Sequence, residues 1–263
     1  MSIVTILTDF GNNHEFVGVM KGVIYGIAPD VKIVDFTHNI PRHDVREGAI
    51  AVWRAYPYFP QGTAHIFVVD PGVGTRRRPI AARINGQYFV GPDNGLLTPV
   101  IEDAERDGKS VEIVHLQNQK YWLAKVSRTF HGRDIFSPVA AHLANGVALS
   151  ELGTSFTDPI RVEMSKPVKT PTGWQAHILA IDSFGNLTLD LPSSALPNRT
   201  GVLFRFHGVE VSGVVDSYGH RTPGDLVAVV DSEDFLELAE VNGNAAMRLN
   251  GNVGDMVEVI FSE

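Results

Sequence analysis

The stretch IVTILTDFGNNHEFVGVMKGVIYGIA, Ile3 to Ala28, decides the fold. Ile3 to Leu7 is a β-branched run that predicts a short strand, and it stops at Thr8-Asp9-Phe10-Gly11, where a carboxylate precedes a turn-forming glycine. Phe16 to Ile27 then places apolar residues at helical spacing before Pro29 ends the pattern. Working outward, the same strand, loop, helix order returns. Lys32 to Phe36 reads as a strand, Asp44 to Ala55 as a helix, and His65 to Asp70 as a strand running into Pro71-Gly72-Val73-Gly74-Thr75. Pro92-Asp93-Asn94-Gly95 is a turn leading to Leu96-Leu97, and Ser137 to Asn145 is a helix closed by Gly146. Strands alternating with helices predict an N-terminal α/β domain over residues 1–165 with a mostly parallel central sheet. Such sheets bind ligands at the carboxyl ends of their strands, where the polar loops fall here.

The texture changes after Pro167. Lys166 to Gly173, with two prolines and a glycine, reads as a linker between the domains, over residues 166–173. Beyond it come short apolar runs broken by turns: Gln175 to Asp182, Leu187 to Leu189, Val202 to Phe206, Val209 to Val215, Leu226 to Val230 and Val257 to Phe261. These predict a smaller all-β barrel domain over residues 174–263. With two unequal domains, the expected ligand site is a cleft between domains or between subunits.

The 263 residues include 44% hydrophobic and 20% charged positions, with 22 Lys and Arg against 30 Asp and Glu for a formal charge of -8. This composition belongs to a globular protein with a sizeable core. The net charge has the wrong sign for holding nucleic acid or an anionic membrane through phosphates, so neither partner is expected. With no cysteine, thiol nucleophiles, thiolate metal sites and disulfide chemistry are excluded. The opening MSIVTILTDF lacks the basic and long apolar regions of a signal peptide. No run approaches the roughly 18 apolar residues of a membrane helix, and a cytoplasmic location is expected.

Five constellations carry possible chemistry. Asp9 in TDFG suits the two vicinal hydroxyls of a ribose, or equally caps the following helix or turn. Asp70, followed by a glycine-rich turn and Arg76-Arg77-Arg78, suggests a carboxylate held beside a guanidinium, the remaining arginines forming a solvated charge run. His131, in Thr129-Phe130-His131-Gly132-Arg133-Asp134, sits where a loop enters a helix. No HExxH or other zinc spacing is present, although Asp9, Asp70, His131 and Asp134 form a donor set that a harder divalent ion would accept. Asp182-Ser183-Phe184-Gly185-Asn186 offers an aromatic face, an amide and a carboxylate for a purine and an ammonium, or is a plain hairpin turn. Asn242-Gly243-Asn244-Ala245-Ala246 is a small-residue loop that a flat ligand could approach, or a plain turn.

Taken together, ILTDFG at Ile6 to Gly11, FVGVMKGVI at Phe16 to Ile24, VVDPGVGT at Val68 to Thr75, GPDNGLLTPV at Gly91 to Val100, TFHGRDIFSPVAAHLA at Thr129 to Ala144 and FGNL at Phe184 to Leu187 carry a resemblance that runs almost end to end. In order and spacing they resemble the S-adenosyl-L-methionine hydroxide adenosyltransferases, relatives of the fluorinating and chlorinating enzymes. The resemblance implies an α/β domain, a C-terminal β-barrel, and a homotrimer with active sites between one subunit's first domain and a neighbour's second. It implies that water attacks ribose C5′ of S-adenosyl-L-methionine to give adenosine and L-methionine, with no metal and no added cofactor. By motif, the water-activating trio falls on Asp70, Arg77 and His131. Asp9 falls on the ribose hydroxyls, Asp182 on the methionine amino group, Phe184 and Asn186 on the adenine, and the backbone of Asn244 and Ala245 on the purine pocket. The halogenating relatives carry tyrosine in place of Asp70 and lack the histidine, which favours hydroxide transfer here. Two stretches depart from the family pattern: His14, where Asp is commoner, near the methionine end of the ligand, and the acidic loop Ser232 to Phe235. Two other readings keep the same residues: a divalent-metal hydrolase, and a non-catalytic sensor of S-adenosylmethionine or adenosine.

Overall fold

A computed structural model describes residues 2–261. The chain divides into two compact units, one ending at Glu163 and the other beginning at Met164. The first unit contains, in order, β1 (Ile3–Thr8), α1 (Phe16–Ile27), β2 (Lys32–Thr37), α2 (Val45–Ala55), β3 (Ala64–Val68), β4 (Pro79–Ile84), β5 (Gln87–Pro92), α3 (Thr98–Arg106), β6 (Val111–Leu116), α4 (Ser137–Ala144) and β7 (Gly153–Ser155). The strands form one sheet in the order β2-β1-β3-β5-β4-β6-β7. β2, β1, β3 and β5 are mutually parallel, β4 is antiparallel to both β5 and β6, and β7 is antiparallel to β6. Five strands thus share one direction, as a mostly parallel sheet requires.

Period-two alternation gives each sheet face its own core. Ile66 and Val68 face one cluster with Met20, Ile24 and Val139 of α1 and α4. Phe67 joins the opposite cluster with Val52 of α2 and Val100, Ile101 and Ala104 of α3. Helix α1 buries Val17, Met20 and Ile24, at the 3- and 4-residue spacing of one face. Helix α2 begins where the Asp44 carboxylate accepts the Glu47 N–H at 2.9 Å. Under the sheet, buried His65 lies between Thr5 Oγ1 (2.8 Å) and Gln87 Oε1 (2.5 Å). Burial pushes its pKa down to about 4.

The strand–helix rhythm does not predict the β4–β5 hairpin. Its turn is Asn85-Gly86, both with positive φ (52° and 75°), the pairing that primed two-residue turns demand.

The second unit comprises β8 (Val168–Thr170), β9 (Gly173–Ile181), β10 (Leu187–Pro192), β11 (Val202–Phe206), β12 (Val209–Ser212), β13 (Leu226–Val230), β14 (Phe235–Glu240), α5 (Ala245–Leu249) and β15 (Met256–Phe261). The order is β12-β11-β15-β9-β10-β14-β13, with β8 on β9, and every paired strand is antiparallel. A bridge from Val214 to Ala228 brings the two ends of this order together, which nearly closes a barrel around Ile178, Leu189, Phe204 and Leu238. Part of the stretch read as a linker is strand β8, paired with Trp174 and its neighbours. Strand β14 was not expected, because Leu, Glu and Ala in FLELAE favour helix. Pairing with β10 on one side and β13 on the other overrides that preference. Among the described residues no helix is long and apolar enough to cross a membrane.

Candidate active site

In the first unit the end of β3 delivers Asp70, and the loop that follows delivers Arg77. That loop turns twice: Val73 N–H donates to the Asp70 carbonyl, and Thr75 N–H and Oγ1 both donate to the Gly72 carbonyl. Gly74 adopts φ +75°, and a Cβ there would stand 2.2 Å from the Arg128 carbonyl oxygen, so the loop rests directly on the segment that leads to His131. Arg77 Nε donates to Asp70 Oδ1 at 3.0 Å, and Nη2 donates to Oδ2. Nη2 also donates to His131 Nδ1 at 3.1 Å. The side chains of Asp70 and Arg77 are only 5% and 6% exposed, and the guanidinium lies over the Phe136 ring. One arginine thus joins a carboxylate and an imidazole.

His131 precedes a π-helical turn, Gly132–Phe136, that continues into α4. Burial first, and the Arg77 charge second, push its pKa below the ordinary value, against the opposing pull of Asp70. Because a guanidinium only donates, Nδ1 is the accepting nitrogen, which puts the proton of the neutral ring on Nε2.

Asp70 and His131 line a cleft of about 490 Å³ with Asp9, His14, Arg42 and His43, and with the rings of Phe10, Phe16 and Phe130. The three phenylalanines contact one another edge to face at 5.4 to 5.9 Å. Asp9 does not cap α1; its Oδ2 accepts the His43 N–H at 2.9 Å. Phe10, Phe16, Phe130, Arg42 and His43 were not singled out from the sequence. A large apolar side chain left 41% exposed, as Phe16 is, shows only once the helix face is known.

Arg76 is exposed, as a charge run implies. Arg78 is not simply solvated: it donates to Asp93 Oδ2 at 2.7 Å and to Asp158, and it stacks on Phe156. Asp134 is fully buried, accepting from Ser127 N at 2.7 Å and from Arg133. Its carboxylate is committed within its own loop. Among the described residues no group of three or more Asp, Glu or His is arranged to hold a metal ion.

In the second unit the β9–β10 loop is a hairpin turn organised by one carboxylate. Asp182 Oδ1 accepts the N–H groups of Phe184 and Asn186 at 2.9 Å each, and Oδ2 accepts Asn186 Nδ2 at 3.0 Å. This leaves Phe184 73% exposed and Asn186 8% exposed. Asp182, Phe184 and Asn186 line a cavity of about 350 Å³ with Tyr218, Glu240, Asn242 and Gly243. Asn244 and Ala245 lie beside it without lining it. Asn244 caps α5 by accepting Met247 N–H at 2.7 Å, and Ala245 is buried. Asn244 also fills the space a side chain at Gly185 (φ +85°) would need, 2.2 Å from the position of its Cβ. Tyr218, which donates to buried Glu237 at 2.6 Å, was missed by sequence reasoning. Ser232 to Asp234 form the β13–β14 turn, with Asp234 at φ +65°.

Comparison with known proteins accounts for both halves. Residues 4–153 match the SAM hydroxide adenosyltransferase N-terminal domain, and residues 176–258 match the corresponding C-terminal domain. A protein of Salinispora tropica named (R)-S-adenosyl-L-methionine hydrolase is 38% identical, over 97% of each chain. A Thermus thermophilus protein of the same name is 35% identical, over 99% of this chain and all of its own. A fluorinase from Actinoplanes is 29% identical over 98% of this chain and 97% of its own. A crystal structure of an uncharacterized conserved protein from Thermotoga maritima superposes with a TM-score of 0.90 at 36% identity, covering 98% of this chain and 99% of that one. The chain belongs to the SAM hydroxide adenosyltransferase family.

Proposed function

We propose that the protein hydrolyses S-adenosyl-L-methionine to adenosine and L-methionine, water attacking ribose C5′ in line with the departing sulfur. The observation that carries this reading is the Asp70–Arg77–His131 assembly at the wall of the first unit's cleft. The sulfonium leaves as a neutral thioether, so the reaction needs no acid on sulfur. It needs a poor nucleophile held in place and one proton removed.

Arg77 fixes the Asp70 carboxylate from behind, and His131, neutral with its Nδ1 occupied, presents Nε2–H. In this reading the His131 N–H orients the water and Asp70 accepts its proton as the C5′–O bond forms and the C5′–S bond breaks. Holding water and carbon at attack distance supplies up to about 7–11 kcal/mol, and a positioned base about 10²–10⁴ in rate. Asp9 holds the ribose hydroxyls. The second unit's pocket takes the remainder of the ligand, with Phe184 and Asn186 at the adenine, Asp182 at the methionine ammonium and the Asn244-Ala245 backbone beside the purine. The (R) descriptor in the relatives' names supports the (R) sulfonium epimer as the preferred substrate. The reading includes a homotrimer, in which one subunit's first unit meets the second unit of a neighbour.

Chelator-treated protein incubated with each epimer in ¹⁸O-water is expected to give adenosine labelled at the 5′ oxygen plus methionine. Loss of activity on chelation would transfer the chemistry to a metal, and tight binding without turnover would make the protein a sensor. Mixing Asp70→Ala with Asp182→Ala subunits tests the shared site. Recovery of activity in mixed trimers is expected, and a monomer in sedimentation would refute that part.

A further inference from the structure

We infer that His38 is a positioning residue for the reaction, setting the Asp9 carboxylate through Thr8; this rests on the reading of Asp9 as the ribose-binding group. Asp9 stands in the turn that follows β1, and both backbone N–H groups after it lead back to His38. Gly11 N–H donates to the His38 carbonyl at 2.8 Å. Phe10 N–H donates to Thr8 Oγ1 at 3.2 Å, and that oxygen lies 2.9 Å from His38 Nδ1. Thr8 is fully buried and His38 is 5% exposed. A threonine hydroxyl has one proton and two lone pairs. With one lone pair committed to Phe10, the hydroxyl meets Nδ1 through its proton or its second lone pair, and in either sense the turn is pinned from the side chain as well as the main chain.

The other end of the imidazole faces a carboxylate. Nε2 lies 3.1 Å from Asp35 Oδ1, outside hydrogen-bond alignment, and Asp35 Oδ2 accepts from Lys21 Nζ at 2.6 Å. Lys21 is on α1 and Asp35 on β2. The series Lys21, Asp35, His38, Thr8 therefore runs from two elements of the scaffold to the ribose-side turn, with Asp35 and Nε2 meeting by proximity of charge and His38 and Thr8 by a hydrogen bond, although His38 itself does not line the cleft. A carboxylate that must meet two hydroxyls at once tolerates little displacement, because a shift near 1 Å is enough to cost about 10²-fold in rate.

The test compares His38→Ala with wild type in two measurements: kcat/KM on S-adenosyl-L-methionine, and calorimetric Kd for adenosine against 2′,3′-dideoxyadenosine. Wild type is expected to prefer adenosine by roughly 10- to 100-fold, the worth of charge-assisted hydrogen bonds. In His38→Ala that preference should shrink toward one while the dideoxyadenosine Kd holds within about 2-fold, and kcat/KM should fall by about 10- to 100-fold. Equal weakening of both nucleosides, or an unchanged preference, would overturn the proposal. Absence of a preference in wild type would instead remove Asp9's ribose role. Should His38→Ala not fold, Asp35→Asn decides: it removes the charge that faces Nε2 from the half-exposed end, and the preference must still fall.

Discussion

In the first unit, Asp70, Arg77 and His131 come from two separate loops, the guanidinium and the imidazole it joins lying 54 positions apart in the chain. In the second, Asp182, Phe184 and Asn186 occupy one hairpin turn held chiefly by the Asp182 carboxylate, with one further bond, from Ala246 N–H to the Gly185 carbonyl at 2.9 Å, tying it to α5. The first arrangement exists only when the sheet, the β3–β4 loop and the start of α4 are all in place. The second needs only two adjacent strands to pair and the start of α5 to dock on their turn. Charge is distributed accordingly: a buried ion pair whose partners are committed to each other sits in the first cleft, whereas the second pocket presents an exposed ring. The difference suits chemistry in one place and recognition in the other.

The largest effect that would break this division is on turnover. Asp70→Asn should lower kcat by about 10²–10⁴-fold in steady-state assays. Asp182→Asn, which removes a charge and sets an amide donor against Asn186 Nδ2 within the turn, should raise KM by about 10-fold or more with kcat nearly unchanged. A kcat loss in Asp182→Asn equal to that in Asp70→Asn would erase the distinction.

Acid provides the next test. His65, beneath the first unit's sheet, has its pKa lowered to about 4, against about 6.5 when unfolded. Between those values the unfolded chain binds the proton more readily. The stabilisation is complete above pH 6.5 and is lost as pH falls toward 4, by about 3 kcal/mol at roughly 1.36 kcal/mol per pKa step. Urea titrations at pH 7 and pH 4.5 should show it. His65→Gln should flatten the dependence, and an unchanged slope would remove His65 as its source.

Two glycines give a finer comparison. Gly74→Ala and Gly185→Ala each place a side chain at positive φ, costing about 1–2 kcal/mol. At Gly74 the new carbon meets the Arg128 backbone carbonyl, while at Gly185 it meets the movable Asn244 side chain, whose displacement costs an N-cap worth about 1 kcal/mol. Calorimetry should therefore find the lower Tm in Gly74→Ala, by about 2–4 °C for each extra kcal/mol. The reverse order would mean that the first-unit loop yields more readily than its contacts imply.

The alternation of strands and helices was legible because Ile3 to Ala28 writes both periods in clean succession. The β4–β5 hairpin had its signal in Asn85-Gly86, hidden by the expectation that a helix follows each strand. β14 could not be read locally, since its neighbours and not its side-chain preferences make it a strand. Among the site residues, Asp70, Arg77 and His131 needed the family motif, because spacing alone cannot choose among three consecutive arginines. The structure distinguishes them physically: Arg76 faces water, Arg77 faces Asp70 and Arg78 faces Asp93. The cleft's phenylalanines and Arg42 were illegible because they converge only after the loops fold.

The contact of Gly74 with the carbonyl of Arg128 has a consequence for how the chain is made. Residues 70–77 leave the ribosome about 50 residues ahead of the segment on which they rest. Closing a loop of that size costs more entropy than closing the hairpin at Asp182. Refolding should therefore restore the second unit's turn early and the Arg77 contact with His131 late. Until then the arginine-rich loop stays exposed on the nascent chain, where proteases and chaperones can reach it.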